Sequence, residues 1–136
     1  MAAFPFLRKQ EPFTLGEKQK IVAAIQAAEK KTSGEIRVYI EDRCRFVDPL
    51  DRAAEIFWSL KMDHTLQQNA VLIYVALKDH QYALYADAGI HHKLGQDFWE
   101  TEVRQMQRHF ISNHLAEAIA EVITDVGTAL QEHFPY

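Results

Sequence analysis

The chain has 136 residues, of which 48% are hydrophobic and 25% are charged, and its formal net charge is −4. This composition is typical of one globular domain with a core of its own. The mild acidity argues against a nucleic-acid partner, which needs clustered Lys and Arg, and no apolar run is long enough for a membrane span. The N-terminal residues show no secretory signal, and the single cysteine, Cys44, excludes an intrachain disulfide, so we expect a cytoplasmic protein.

The chain begins with an arm and a helix. Residues 1–13 contain several Phe and Pro residues, and we interpret them as an irregular arm whose aromatic side chains pack onto the body. A helix is predicted over about Leu15–Lys31, because Thr14 and Glu17 have the spacing of a capping box. Thr32, Ser33 and Gly34 are expected to end this helix, and Gly34 is free to take a positive φ.

The next elements form a β-α-β unit. Strand 1, Glu35–Glu41, alternates apolar and polar residues, which indicates that one face is buried. Asp48 and Pro49 predict the start of a helix that ends near Met62. The run Ala70–Leu77 is apolar at nearly every position, which is typical of a central strand covered on both faces.

The remaining sequence predicts a hairpin partner and two helices. The polar turn Lys78–Gln81 leads into a weaker strand, Gln81–Ala86, and Ala88–Gly95 is interpreted as a short loop or turn. Apolar stripes at helical spacing predict helices over about Gln96–Ser112 and Leu115–His133.

The predicted element order is therefore α-β-α-β-β-α-α. Strands 1 and 2 should be parallel with a right-handed crossover, and strand 3 should pair antiparallel to strand 2. This arrangement predicts a single α/β domain, a three-layer α/β/α sandwich around a small mixed sheet.

One edge of this sheet collects polar residues that lie far apart in sequence. His64 and Asn69 precede strand 2, whereas Asp87, His91 and His92 follow strand 3. Imidazole and carboxylate together can bind a divalent cation such as calcium, magnesium or zinc, so these five residues form a candidate metal site. The alternative is a set of solvated polar loops.

The opposite edge, at the carboxyl ends of strands 1 and 2, is where open α/β sheets usually bind ligands. Asp42, Asp79 and His80 are the candidate residues there. The alternative is a charged loop with Asp48 serving only as a helix cap. Cys44 lies between two arginines, which could lower its pKa, although a partly buried structural cysteine is the simpler interpretation.

Known enzyme motifs are missing from the sequence. It contains no P-loop, no G-x-G-x-x-G, no H-E-x-x-H and no G-x-S-x-G. Position 50 is Leu50, so Cys44 lacks the arginine six residues later that a cysteine-dependent phosphatase needs. We therefore expect no organic cofactor.

The order of these segments resembles a known family. The chain is similar to the TPM domain in the order of four segments: an amphipathic helix, the strand segment T-S-G-E-I-R-V-Y-I-E, a second helix, and the hairpin segment N-A-V-L-I-Y-V-A-L-K-D-H-Q-Y-A-L-Y-A-D-A-G-I. The resemblance extends over about Leu15–Phe134. It implies an α/β/α sandwich and a divalent cation held by acidic residues at the base of the hairpin. It also implies acid phosphatase activity, as attributed to some members, or an interaction module, as in others.

Individual positions match this family unequally. Asn69 matches an Asn of the family pattern. Asp79 matches the Asp of the family's Asp-Arg pair, and Gly89 matches a glycine in a turn of the pattern. The sequence departs from the pattern at Gln68, where the family has an acidic residue, and at Ala70, where it has glycine.

The leading functional hypothesis is a non-enzymatic binding or accessory module with a divalent-cation site at the base of the hairpin and a protein partner. One alternative is a metal-assisted acid phosphatase, with Asp87 and His64 as candidate catalytic residues. Another is a structural subunit that pairs through strand 1 or the N-terminal arm. The sequence leaves the oligomeric state open.

Overall fold

The computed structural model describes residues 13–111 and 114–136, apart from the side chains of Phe110 and Ile111. The interpretation of residues 1–12 as part of an arm and the predicted helix end at Ser112 lie outside this description. The elements follow in the order α1 (Leu15–Glu29), β1 (Glu35–Glu41), α2 (Pro49–Ser59), β2 (Ala70–Ala76), β3 (Gln81–Ala86), α3 (Ala88–Leu94), α4 (Gln96–Ile111) and α5 (Leu115–His133).

The three strands form one mixed sheet in the order β1-β2-β3. β1 pairs parallel to β2, with Glu35 opposite Ala70, and β2 pairs antiparallel to β3, with Val71 opposite Ala86. Every residue of β2 is buried, as expected for a strand covered on both faces. The predicted α/β fold and element order are confirmed.

Two apolar clusters lie on opposite faces of the sheet. On one face, β-strand side chains such as Val38 and Ile73 pack with α1, α4 and α5. On the other face, Tyr39 and Tyr74 pack with Phe57 of α2. The sheet is thus the middle layer of three. Helix α2 covers the face of β1 that carries Tyr39, which is the face with the polar residues of the strand.

The helix caps explain where α1 and α2 begin. Thr14 and Glu17 form the predicted capping box, in which Thr14 Oγ1 accepts from the N–H of Glu17 at 3.1 Å and Glu17 Oε1 accepts from that of Thr14 at 2.8 Å. Asp48 caps α2 by accepting from the N–H of Leu50 at 2.9 Å.

The segment predicted as a loop or turn after β3 contains the short helix α3. Asp87 is its N-cap, since Asp87 Oδ1 accepts from the N–H of Ala88, and Ile90 anchors it in the core with no exposed surface. The segment is too short for helical periodicity to be visible in the sequence, so only its cap and one apolar anchor could have indicated it.

Gly34 does not use its freedom to take a positive φ; among the described glycines, Gly95 has a positive φ, at 81°. Gly34 is needed for a different reason. A Cβ there would lie 2.9 Å from both the carbonyl oxygen of Asn69 and Cδ2 of Leu130. Its small size therefore lets β1, the loop before β2 and α5 approach each other closely.

Candidate functional site

The base of the β2–β3 hairpin is formed by residues 67–69 before β2 and residues 87–90 after β3, and we call these two segments the hairpin base. The N–H of Asp87 donates to the carbonyl of Ala70 at 2.9 Å, which extends the β2–β3 ladder by one pair. The N–H of Ile90 donates to the carbonyl of Gln68 at 3.2 Å. These bonds hold the loop before β2 against the first turn of α3.

Asn69 and Asp87 are both buried in the hairpin base, with 1% and 8% of their surfaces exposed. Asn69 Nδ2 donates to Ser33 Oγ at 3.1 Å, whereas Asn69 Oδ1 has no hydrogen-bond partner among the described residues. Asp87 Oδ1 accepts from the N–H of Ala88 at 2.8 Å, and within the described residues Asp87 Oδ2 also lacks a partner. A buried acceptor without a donor costs about 1–3 kcal/mol, which a bound cation or donor would remove.

Two backbone carbonyls of the hairpin base lie close to Gly89. A Cβ at Gly89 would be 2.2 Å from the carbonyl oxygen of Gln67 and 2.6 Å from that of Gln68, so only glycine fits. Gln68 has a φ of 52°, a left-handed conformation that costs free energy for a residue with a side chain. The two segments of the hairpin base therefore carry carbonyl, amide and carboxylate oxygens, the ligand types that calcium and magnesium prefer.

The three histidines expected at this edge lie in two places, His64 in the loop between α2 and β2 and His91 and His92 on α3. The side chain of His64 is 67% exposed, and its Nε2 lies 3.8 Å from Oδ1 of the adjacent Asp63. His91 and His92 are consecutive residues of α3, where successive side chains point about 100° apart. Across residues 13–111 and 114–136, no group of three or more His, Cys, Asp or Glu side chains is arranged to hold a metal ion.

An open cleft of about 380 Å³ borders the hairpin base. Ser33, Gln67 and Asn69 line one part of it, and Leu66 and Tyr136 line another. Leu66 is fully exposed and Tyr136 is 86% exposed. The buried amide of Asn69 thus adjoins a surface with two exposed apolar side chains.

The candidate residues at the opposite edge are largely engaged in the fold. Asp79 Oδ1 accepts from Arg43 at 2.9 Å, and its Oδ2 accepts from the N–H of Cys44 at 2.7 Å. Asp42 lies 3.9 Å from Lys78, and His80 sits in the hairpin turn with a φ of 53°. The contacts of Asp79 tie the loop after β1 to this turn, a structural role.

Sequence reasoning missed a polar network between the sheet and α2. Arg52 donates twice to Glu41, each time at 2.9 Å, and also donates to Glu55. The Tyr74 hydroxyl donates to the same Glu41 carboxylate, and the Arg52 guanidinium lies 5.9 Å from the centre of the Tyr39 ring. One signal in the sequence could have indicated this network: Glu41 ends a strand, and the helix that follows contains one arginine, Arg52.

The pKa values of this network follow from its contacts. Burial raises the pKa of Glu41, but the hydrogen bonds from Arg52 and Tyr74 outweigh burial and leave the pKa below its usual range. Burial and the Glu41 contact raise the pKa of Tyr74. Glu41 is therefore a stably charged structural carboxylate, which makes it a poor proton donor or acceptor near neutral pH.

A family model for the TPM domain matches residues 8–129 of the chain. The chain belongs to the TPM domain family. The match includes all three strands and the hairpin base, so the resemblance noted in the sequence is confirmed. A search of curated proteins finds no match to the chain.

Solved structures support the same assignment. The NMR structure of BA42 protein from the psychrophilic bacterium Bizionia argentinensis is 40% identical, with a TM-score of 0.84 over 96% of this chain and 90% of that chain. The N-terminal domain of cg2496 protein from Corynebacterium glutamicum is 15% identical, with a TM-score of 0.64 over 94% of this chain and 85% of that chain. An N-terminal domain of a protein from P. gingivalis is 13% identical, with a TM-score of 0.66 over 91% and 82%, respectively. The last two show a shared fold.

Among the described residues of this TPM domain, no helix combines the length and the apolar character needed to cross a bilayer.

Proposed function

We propose that this TPM domain is a binding or accessory module whose hairpin base holds a divalent cation. The observation that carries the proposal is a pair of buried oxygens, Asn69 Oδ1 and Asp87 Oδ2, which have no hydrogen-bond partner among the described residues. The carbonyls of Gln67 and Gln68 beside Gly89 add oxygen ligands of the kind that calcium and magnesium accept. The exposed position of His64 argues against zinc, which favours imidazole.

The charge of the hairpin base sets the expected affinity. Asp87 is its single acidic side chain, and cation affinity rises with the number of anionic ligands. Gln68 stands where the family pattern has an acid. We therefore expect weak binding in the native chain and tighter binding in the Gln68→Glu variant.

A bound cation would act mainly on the shape of the neighbouring surface. Ligation by Asn69 and Asp87 would fix the loop before β2 against α3, and this loop carries the exposed Leu66 of the adjacent cleft. Occupancy would thereby change the surface that the module offers to a protein partner.

Phosphomonoester hydrolysis is the alternative function. When bound, a cation would neutralise phosphate charge and polarise the phosphorus. The partnerless Oδ2 of Asp87 favours this alternative as well, because a buried carboxylate oxygen could accept a proton from an attacking water. His64 is the other candidate for that role.

The test of the cation site is an NMR titration with calcium, magnesium and zinc, each alone. Calcium or magnesium should shift the amide signals of Asn69, Asp87 and Gly89, and Asp87→Asn should weaken the affinity by about tenfold or more. Asp97→Asn, an exposed Asp in the first turn of α4, is the matched control and should leave the affinity unchanged. Shifts confined to other parts of the chain would refute the proposed site.

The two functions are then separated with p-nitrophenyl phosphate between about pH 4 and pH 8. A module without enzymatic activity should give no cation-dependent turnover. Turnover that is lost in both Asp87→Ala and His64→Ala would favour the phosphatase, whereas turnover that survives both substitutions would indicate a contaminant.

A further inference from the structure

The outer edge of β3 borders a cleft of about 240 Å³ that the proposed function does not use. The cleft is lined by three consecutive residues of β3, Tyr82, Ala83 and Leu84. Successive side chains of a strand point to opposite faces of a sheet. Tyr82 and Leu84 pack accordingly in the cluster on the side of α4, whereas Ala83 packs in the cluster on the side of α2. A cleft that touches all three residues therefore lies at the edge of the strand, and we call it the β3-edge groove.

Both helical layers contribute walls to the β3-edge groove. α2 supplies Pro49 and Leu50 to its lining, and α4 supplies Trp99 and Val103. Both helices also contact β3 directly. The groove thus combines apolar walls from two helices with the backbone of an edge strand between them.

The pairing register shows which backbone groups of β3 face the groove. The N–H of Asp87 donates to the carbonyl of Ala70, which marks a hydrogen-bonded pair of the antiparallel ladder. Because such pairs alternate along the ladder, Ala83 and Tyr85 bond to β2, whereas the N–H and carbonyl of Leu84 point away from β2. Among the described residues, β3 has no second neighbouring strand, and these two groups of Leu84 have no hydrogen-bond partner.

We propose that the β3-edge groove binds an extended peptide segment of a partner protein, which adds to the sheet as a further short strand. Leu84 presents one donor and one acceptor, and an extended backbone offers the complementary acceptor and donor. The apolar walls suit one aliphatic or aromatic side chain of the peptide. The rim carries Asp48 and Glu100 against Arg104, so a basic residue beside the apolar one would meet complementary charge.

Two features favour a peptide over a small molecule as the ligand. The groove is smaller than the clefts of about 300–1,000 Å³ that usually hold small molecules. Leu84 is only 4% exposed, and a backbone polar group sheltered from water costs free energy unless it gains a partner. A second backbone supplies that partner whatever its sequence. The groove shares no residue with the hairpin base, so this proposal gives the binding module a class of partner without depending on the cation.

Hydrogen exchange in the free protein tests whether the edge is open. The amide of Leu84 should exchange at least about tenfold faster than the amides of Ala83 and Tyr85, which bond to β2. Equal protection of the three amides in dilute protein would show that the edge is already paired and would overturn the proposal. Protection of Leu84 that increases with protein concentration would identify a second copy as the occupant and would also overturn it.

The second experiment is an NMR titration with acetylated and amidated heptapeptides that have Lys at both ends and Val, Leu or Phe at the centre. EDTA is present, so that peptide binding and cation binding succeed or fail independently. At least one peptide should shift the amide signals of Leu84 and Val103 and protect Leu84 from exchange. N-methylation of one alternate set of its amides should weaken binding by at least about tenfold, and N-methylation of the other set should not, because only one edge of an added strand meets β3.

A matched pair of variants tests the wall of the groove. Val103→Thr places a hydroxyl on this wall and should weaken peptide binding by about threefold or more. Val22→Thr changes another partly exposed valine, on α1 and outside the groove, and should leave the affinity unchanged. Urea unfolding of both variants separates a loss of binding from a loss of folding. Binding by none of the peptides, equal effects of the two N-methylated sets, or equal affinities of the two variants would refute the proposal.

Discussion

Gly16 and Gly89 show how one residue type takes different roles at equivalent positions. Each is the second residue of its helix, Gly16 in α1 and Gly89 in α3. A Cβ at Gly16 would meet nothing within 4 Å, whereas one at Gly89 would press against the carbonyls of Gln67 and Gln68. The resemblance implied a turn glycine at position 89. The structure shows that glycine is needed there because the backbone of Gln67 and Gln68, in the loop before β2, lies against it.

We expect Gly89→Ala to lower the free energy of unfolding by about 1–3 kcal/mol, because an added Cβ cannot be accommodated without moving the hairpin base. Gly16→Ala should be neutral or stabilise by up to about 1 kcal/mol through helix propensity. Urea denaturation of both variants measures the difference. Equal effects would show that the crowding at Gly89 relaxes freely.

Polar side chains illustrate the limit of sequence reasoning at the residue scale. Asp48 was predicted to cap α2 and does so, because a cap depends on neighbours two residues away. The link of Asp79 to Arg43 and Cys44 and the link of Glu41 to Arg52 were not predicted. These partners are brought together by the crossover and the hairpin turn, and such contacts have no local pattern.

At the scale of elements, Gly127 determines how closely α1 and α5 approach. In the sequence, a glycine inside a helix only indicates weak propensity. In the structure, a Cβ at Gly127 would lie 2.6 Å from the Cβ of Ala28, so the glycine permits close packing of the two helices. The two small residues act as a pair across the interface.

We expect Gly127→Ala to lower the free energy of unfolding by about 1–3 kcal/mol through overpacking, despite a gain of up to about 1 kcal/mol in helix propensity. Ala28→Gly should restore space in the double variant. A double-mutant cycle by urea denaturation measures this coupling. Additive effects of the two substitutions would contradict a direct contact.

The whole molecule is organised by β2, which is buried on both faces and shared by the two apolar clusters. Trp58 lies on α2, on one side of the sheet, and Trp99 lies on α4, on the other side. Because both layers pack against the same strand, we expect them to lose structure together.

Single-tryptophan variants test this cooperativity. In Trp58→Phe and in Trp99→Phe, the fluorescence transition in urea should coincide with the far-ultraviolet circular dichroism transition of the same variant. Each remaining tryptophan then reports on one layer. Separated transitions in either variant would show that one layer unfolds independently.

The match over residues 8–129 establishes membership of the TPM domain family, and the described residues establish the α/β fold. The cytoplasmic location and the protein partner stay predictions. The divalent cation at the hairpin base also stays a prediction. The sequence predicted Asp87 and Asn69 as ligands together with three histidines; in the structure, Asn69 and Asp87 are buried, whereas the side chain of His64 is exposed.

The amino-acid sequence by itself determined the central strand, its hairpin partner, the long helices and their caps. These features depend on periodicity and on neighbours within four residues, where local physics is sufficient. Only the tertiary structure decided that Asn69 Oδ1 and Asp87 Oδ2 are buried with no hydrogen-bond partner among the described residues, and that Gly34, Gly89 and Gly127 are needed for close packing. Each of these depends on the distance between groups that are remote in sequence, and chain folding alone sets that distance.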